Sequence, residues 1–152
     1  IDATPVWLLW NYYNRSEIEL SYADSTDSYA YNTFVWRAVN NRGKLARVGF
    51  IVGVTEDEVD ADCLLMADNT LAQLMYTGIG GDTFTTPSGV KLATTGSANT
   101  VPLRGQFRSF ANAGFHFLSW LELPGATGTT NFYGDLGSPA SSQSALTLRL
   151  RA

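Results

Sequence analysis

Cysteine and histidine are nearly absent from this chain, with Cys63 and His116 the single examples of each in 152 residues. One cysteine excludes an internal disulfide and any cysteine-rich metal centre, and one histidine excludes a multi-histidine metal site. Charge is scarce as well. Only 16% of residues are charged, below the usual quarter, and the net charge of −4 with a pI near 4.8 leaves no basic footprint for nucleic acid in this stretch. No apolar run approaches the roughly eighteen residues that a membrane-spanning helix needs. The opening Ile1-Asp2-Ala3-Thr4-Pro5 does not read as a signal peptide, and the missing initiator Met points to a trimmed or partial chain.

What is present is apolar, aromatic and rich in turn residues. Hydrophobic content of 45%, aromatics at 12% and 14 glycines fit a folded, turn-rich β domain. The length suits one domain over residues 1–152. Residues 114–123, Gly-Phe-His-Phe-Leu-Ser-Trp-Leu-Glu-Leu, form the densest buried-strand pattern, with large groups on both faces. Residues 17–22 and 145–152 alternate strictly, as half-solvated antiparallel strands do, and residues 6–13, 33–39, 45–54 and 101–110 read as further strands. Asn40-Asn41-Arg42-Gly43 has the residues of a hairpin connection. Between them, Thr55 and Glu58 stand at capping-box spacing, with Val59, Cys63 and Met66 on one side of a helix, so a short helical insertion is expected near residues 55–76. The expected fold is therefore an all-β jelly-roll sandwich of about eight antiparallel strands. An immunoglobulin-like sandwich is the alternative.

No motif supports catalysis, and the chain is expected not to be an enzyme. The Gly125-Ala-Thr-Gly-Thr-Thr stretch lacks the lysine of a phosphate-binding loop, and Gly78-Ile-Gly80-Gly81 departs from the dinucleotide fingerprint. His116 could pair with Glu122 or Asp135 as an acid–base unit, but a lone histidine in an aromatic strand reads better as a core or interface residue. The acidic cluster around Asp57, Asp60 and Asp62 is a candidate calcium site, because hard cations want several converging carboxylates; acids at a helix start need no metal. Among the aromatics, Trp7, Trp10, Tyr29 and Tyr31 are candidates for a subunit or receptor contact.

The strand at 114–122, the Gly-Ala-Thr-Gly-Thr-Thr loop, the Phe-Tyr-Gly-Asp at 132–135 and the final alternating strand resemble the C-terminal part of coat proteins from small icosahedral RNA viruses of tombusvirus-like or nodavirus-like type. Residues 43–54 before an acidic connection are also similar to the middle of such a shell domain. The resemblance implies a jelly-roll capsid protein in a virion, self-assembling in many copies, with genomic RNA held only through a basic segment outside this chain. It also implies shell or protruding placement and contact with a host receptor or glycan. Asp57, Asp60 and Asp62 carry the reverse of that family's interfacial calcium spacing. A carbohydrate- or receptor-binding β-sandwich, such as a fibre head or lectin-like module, is the alternative function.

Overall fold

The computed structural model describes residues 16–55, 57–95, 99–137 and 142–151. Its strands are β1 (Glu17–Ala23), β2 (Tyr29–Ala30), β3 (Arg37–Ala38), β4 (Arg47–Val52), β5 (Glu58–Asn69), β6 (Leu74–Gly81), β7 (Ser88–Thr95), β8 (Val101–Phe110), β9 (Gly114–Leu123), β10 (Thr130–Tyr133) and β11 (Ala145–Arg151). All pairings are antiparallel. The path runs β1-β11-β5-β8-β7-β6-β9-β3, with β4 also on β9 and β10 bridging β5 and β2. β7 and β8 share only the pairs Val90–Gln106 and Lys91–Gly105, and there the sheet curls over into two layers.

One layer is β1-β11-β5-β8 and the other is β3/β4-β9-β6-β7. With β3 and β4 counted as one interrupted strand, and the short β2 and β10 set aside, one layer holds the first, last, third and sixth strands in chain order. The other holds the second, seventh, fourth and fifth. That interleaving is the jelly roll. Consequently the connections β1–β3, β5–β6, β7–β8 and β9–β11 gather at one end, and β4–β5, β6–β7 and β8–β9 at the other.

Alternation along each strand fills the space between the layers. β5 sends Val59, Ala61, Cys63, Leu65 and Ala67 inward, β11 sends Leu146, Leu148 and Leu150, and β9 sends Leu118 and Trp120. The Trp120 indole N–H donates to Thr77 Oγ1 at 3.1 Å, which removes the cost of an unpaired donor in the core. Tyr22 meets the Trp120 ring edge-on from the opposite layer.

The helix expected near residues 55–76 is not formed. Those residues make the whole of β5 and the start of β6, and the helical structure among the described residues is a 3-10 turn, Val39–Asn41. The acids at positions 58, 60 and 62 alternate with buried Val59, Ala61 and Cys63, and β5 is hydrogen-bonded on both sides, to β11 and β8. Two neighbouring ladders outweigh a local capping signal. The hairpin expected at Asn40-Asn41-Arg42-Gly43 also takes another form. β3 and β4 both pair with β9 rather than with each other, so the segment is an excursion within one interrupted strand. Asn40 and Asn41 supply its left-handed backbone at φ of 54° and 53°.

Candidate functional site

The outward face of the first layer is a cross-strand lattice of charge. Register places Glu19 opposite Arg149, Arg149 opposite Asp60, and Asp60 opposite Arg108, so signs alternate across four strands. Arg149 Nε donates to Glu19 Oε2 at 3.0 Å, and an Arg108 terminal N–H donates to Asp60 Oδ2 at 3.1 Å. The hydrogen bond to Asp60 and its charge hold the Arg108 guanidinium above its ordinary pKa. Asp60 and Asp62 are two residues apart on this face, and Asp57 lies before the strand. Arginines line the same grooves as these acids: Arg149 and Arg151 beside Asp57 and Asp60, Arg108 and Arg149 beside Asp60 and Asp62. Among the described residues of the single chain no three His, Cys, Asp or Glu side chains form a group that could hold a metal ion.

The aromatic candidates separate. Trp7 and Trp10 lie outside the described residues. Tyr29 is turned into the structure. Its hydroxyl donates to Glu122 Oε2 at 2.5 Å and accepts from the Asn40 backbone N–H at 3.1 Å, while its ring packs on Phe132. Burial, then the neighbouring Glu122 charge, drive its phenol pKa far above the usual range. Tyr31 lies under the Arg37 guanidinium, 3.4 Å from the ring centroid, and its hydroxyl donates to the Val35 carbonyl. Arg37 Nε donates to Glu122 Oε1 at 2.7 Å. The side chain of Glu122 is completely buried, and desolvation raises its carboxyl to about 7 against the opposing pull of Tyr29 and Arg37. Tyr29, Tyr31 and Arg37 therefore tie the β1–β3 connection to β9.

Large apolar side chains are exposed at both ends. At the first end Phe34 (54% exposed), Val35, Leu71 and Leu74 stand out, and Phe34, Leu74 and Tyr76 line one shallow depression of about 250 Å³ with Ala72, Gln73 and Ala126. At the other end Ile51 and Phe115 (65% exposed) are cross-strand partners on β4 and β9, and Phe110 closes β8. Between the ends, the second layer's outer face is covered by the β6–β7 connection. Phe84 stacks on Phe117, and the Ser119 hydroxyl donates to the Thr83 carbonyl. A side chain at Gly80 would meet that carbonyl at 2.6 Å, so the close approach requires glycine there.

His116 pairs with neither carboxylate expected from the sequence. Its Nδ1 is 2.7 Å from Asp82 Oδ2, and its Nε2 is 2.8 Å from the Asn112 carbonyl oxygen. The hydrogen bond to Asp82 raises the imidazole pKa; for Asp82, burial acts upward but the bonds from His116 and the Phe117 N–H outweigh it, and its pKa is lowered. The thiol of Cys63 is buried and pushed up to about 12 by desolvation, so it is inert.

The Gly125-Ala-Thr-Gly-Thr-Thr stretch is held by its own scaffold. Asn69 Nδ2 donates to Thr130 Oγ1 and to the Thr127 carbonyl, and Thr70 Oγ1 accepts from the Thr129 N–H. Asp24 is fully buried and accepts from the Thr26 N–H and hydroxyl. The signal for it was local, since Asp two residues before Thr in a turn is an Asx-turn pattern. For Tyr29, Arg37 and Asp82 as partners of β9 there is no local signal. No protein-family model and no curated protein matches the chain.

Proposed function

We propose that this jelly roll is a coat-type subunit that self-assembles in many copies into an icosahedral viral shell. The observation that carries the reading is the pair of separate apolar patches at opposite ends of the sandwich, Phe34 with Leu74 and Ile51 with Phe115. A single sticky patch closes a small oligomer. Two different patches on one subunit allow head-to-tail contacts that propagate or close into larger assemblies. The charged face of the first layer complements this, because its alternating signs keep that surface wet. Particle size of the full-length product by light scattering and electron microscopy tests the reading. Many-subunit shells are expected, lost on Phe34→Asp or Phe115→Asp while the β-sheet circular dichroism is kept. A monomer or trimer under every condition would overturn it.

One observation favours a second reading, a carbohydrate- or receptor-binding module. A groove of about 460 Å³ on the first layer is lined by Asp60, Asp62, Gln106, Arg108 and Arg149, and Phe110 lies farther along the same outward face of β8, 63% exposed. Planar polar groups near an exposed ring are what a sugar needs. A glycan screen separates the two: saturable binding by a small oligomer, lost in Phe110→Ala, supports the module.

A further inference from the structure

We propose that protonated His116 is a pin that fastens the turn between β8 and β9 to the β6–β7 connection, and that loss of its proton releases the turn. The argument starts from what each ring nitrogen faces. Nδ1 faces a carboxylate oxygen at 2.7 Å and Nε2 faces a backbone carbonyl oxygen at 2.8 Å. Both are acceptors. Only the imidazolium carries two N–H donors; neutral imidazole has one N–H and one lone pair, and that lone pair would point at an oxygen. The geometry is therefore satisfied by the charged ring alone.

The other contacts decide which tether gives way. Asp82 is anchored to β9 independently of the histidine, because its Oδ1 accepts the Phe117 N–H at 2.9 Å and its own N–H donates to the Phe117 carbonyl at 2.9 Å. A carboxylate is also a stronger acceptor than an amide carbonyl. The remaining proton of the neutral ring thus stays on Nδ1, and the proton lost to solvent is the one on Nε2. The Asn112 carbonyl is released and Asp82 stays. Asp82 is the titratable group facing the ring. Packed on the other side, β4 contributes the Phe50 ring, at a centroid distance of 6.0 Å, while Arg47 of the same strand lies over Phe117 and Phe84.

The released turn, residues 111–113, has an exposed apolar residue just beyond each end, Phe110 and Phe115. Gly114, at φ of +137°, is the joint between the turn and β9. Protonation of one ring therefore sets how rigidly this apolar end is presented, whether or not the chain assembles.

Because His116 is the single histidine, its ring gives one unambiguous signal in a long-range proton–nitrogen NMR titration of the intact chain. The expected result is an imidazolium that persists above the ordinary midpoint of 6.5. Above its midpoint the neutral ring is the Nδ1–H tautomer. Amide exchange at residues 111–114, corrected for base catalysis, accelerates through the same midpoint while the Phe117 amide stays protected. Asp82→Asn lowers the midpoint, and Glu122→Gln leaves it unmoved. A midpoint at or below 6.5, a neutral Nε2–H tautomer, or exchange at 111–114 that ignores the titration would each overturn the proposal.

Discussion

Two carboxylate–arginine pairs join neighbouring strands, one in each layer of this sandwich, and their surroundings differ completely. Glu122 and Arg37 are cross-strand partners on β9 and β3; Asp60 and Arg108 are cross-strand partners on β5 and β8. The closest contacts are similar, 2.7 Å and 3.1 Å. Burial is not. The Glu122 side chain has no solvent exposure and its arginine is 24% exposed, against 44% for Asp60 and 65% for Arg108. Desolvation separates them: water solvates the outer pair whether or not its members touch, whereas inside the layer the protein alone must satisfy the carboxylate. Tyr29, Arg37 and Glu122 thus form one obligatory unit joining the β1–β3 connection to β9. The outer lattice carries complementary signs that mark register.

Breaking the inner pair from the arginine side has the largest expected effect. Arg37→Leu leaves the Glu122 carboxylate without its cation, and about 3 kcal/mol of stability should be lost at pH 8 in urea denaturation, the order found when one partner of a buried pair is removed. At pH 5 the loss is smaller, because a carboxyl raised to about 7 is already protonated there and leaves no buried charge unpaired. Equal losses at both pH values would mean that Glu122 behaves like a solvated acid, and the contrast with Asp60 would fail.

The pH dependence of the native chain sharpens the same point. Glu122 has its pKa raised by burial from 4.5 to about 7, so the folded state holds this proton more tightly than the unfolded state does. Its contribution is present in full below pH 4.5 and is lost as pH rises to about 7. His116, also raised, acts with the same sign in a later window that opens at its ordinary 6.5. Thermal melts across pH should therefore show falling stability through both windows. Glu122→Gln should flatten the lower one and leave the upper one. A lower window unchanged by Glu122→Gln would assign that proton elsewhere.

A smaller effect isolates the hydroxyl. Tyr29→Phe removes the donor to Glu122 and the acceptor for the Asn40 N–H, with little change in ring packing on Phe132. Losing a hydrogen bond to a charged group costs about 1–3 kcal/mol, and chemical denaturation at pH 7 should place the variant in that range. It should also push the Glu122 midpoint further up, since Tyr29 helps to hold it down. A variant as stable as the native chain would leave the support of the carboxylate to Arg37 and the Asn40 backbone N–H.

The sandwich itself is legible in the chain because half-buried strands write their faces at period two. Residues 17–22 and 145–151 alternate openly, and residues 115–122 divide into the two faces that the register confirms. β5 is misread because two rules compete over the same residues. Thr55 and Glu58 imitate a capping box, and Val59 with Cys63 imitates a helical face, although Glu58 to Cys63 also alternate. What resolves the conflict is the pair of ladders to β11 and β8, whose paired residues stand 34 to 89 positions away and leave no mark on the local sequence. The inner charged unit is hidden for the same reason. Glu122 can be placed beside Trp120 on one face, but Tyr29 and Arg37 lie 93 and 85 residues earlier. His116 suggests a carboxylate partner, and sequence proximity favours Glu122 or Asp135 over Asp82, which only the folding of β6 against β9 brings within reach.

The smallest expected effect belongs to the outer pair. Asp60→Asn keeps the size and polarity of the side chain and removes one charge from the Glu19–Arg149–Asp60–Arg108 row. In water each of these groups keeps most of its solvation when its partner is lost, so the melting temperature should stay within about 0.5 kcal/mol-equivalent of the native value. Added salt should narrow even that difference, since the exposed pair is screened and the inner one is not. A large destabilisation, insensitive to salt, would show that the row is shielded in solution by something lying on it. In a dilute sample that something is most simply another copy of the chain, and the melting temperature would then rise with protein concentration. Asp60→Asn thus reads out whether the first layer's outer face is a free surface, which the inner pair, with its carboxylate fully buried, cannot report.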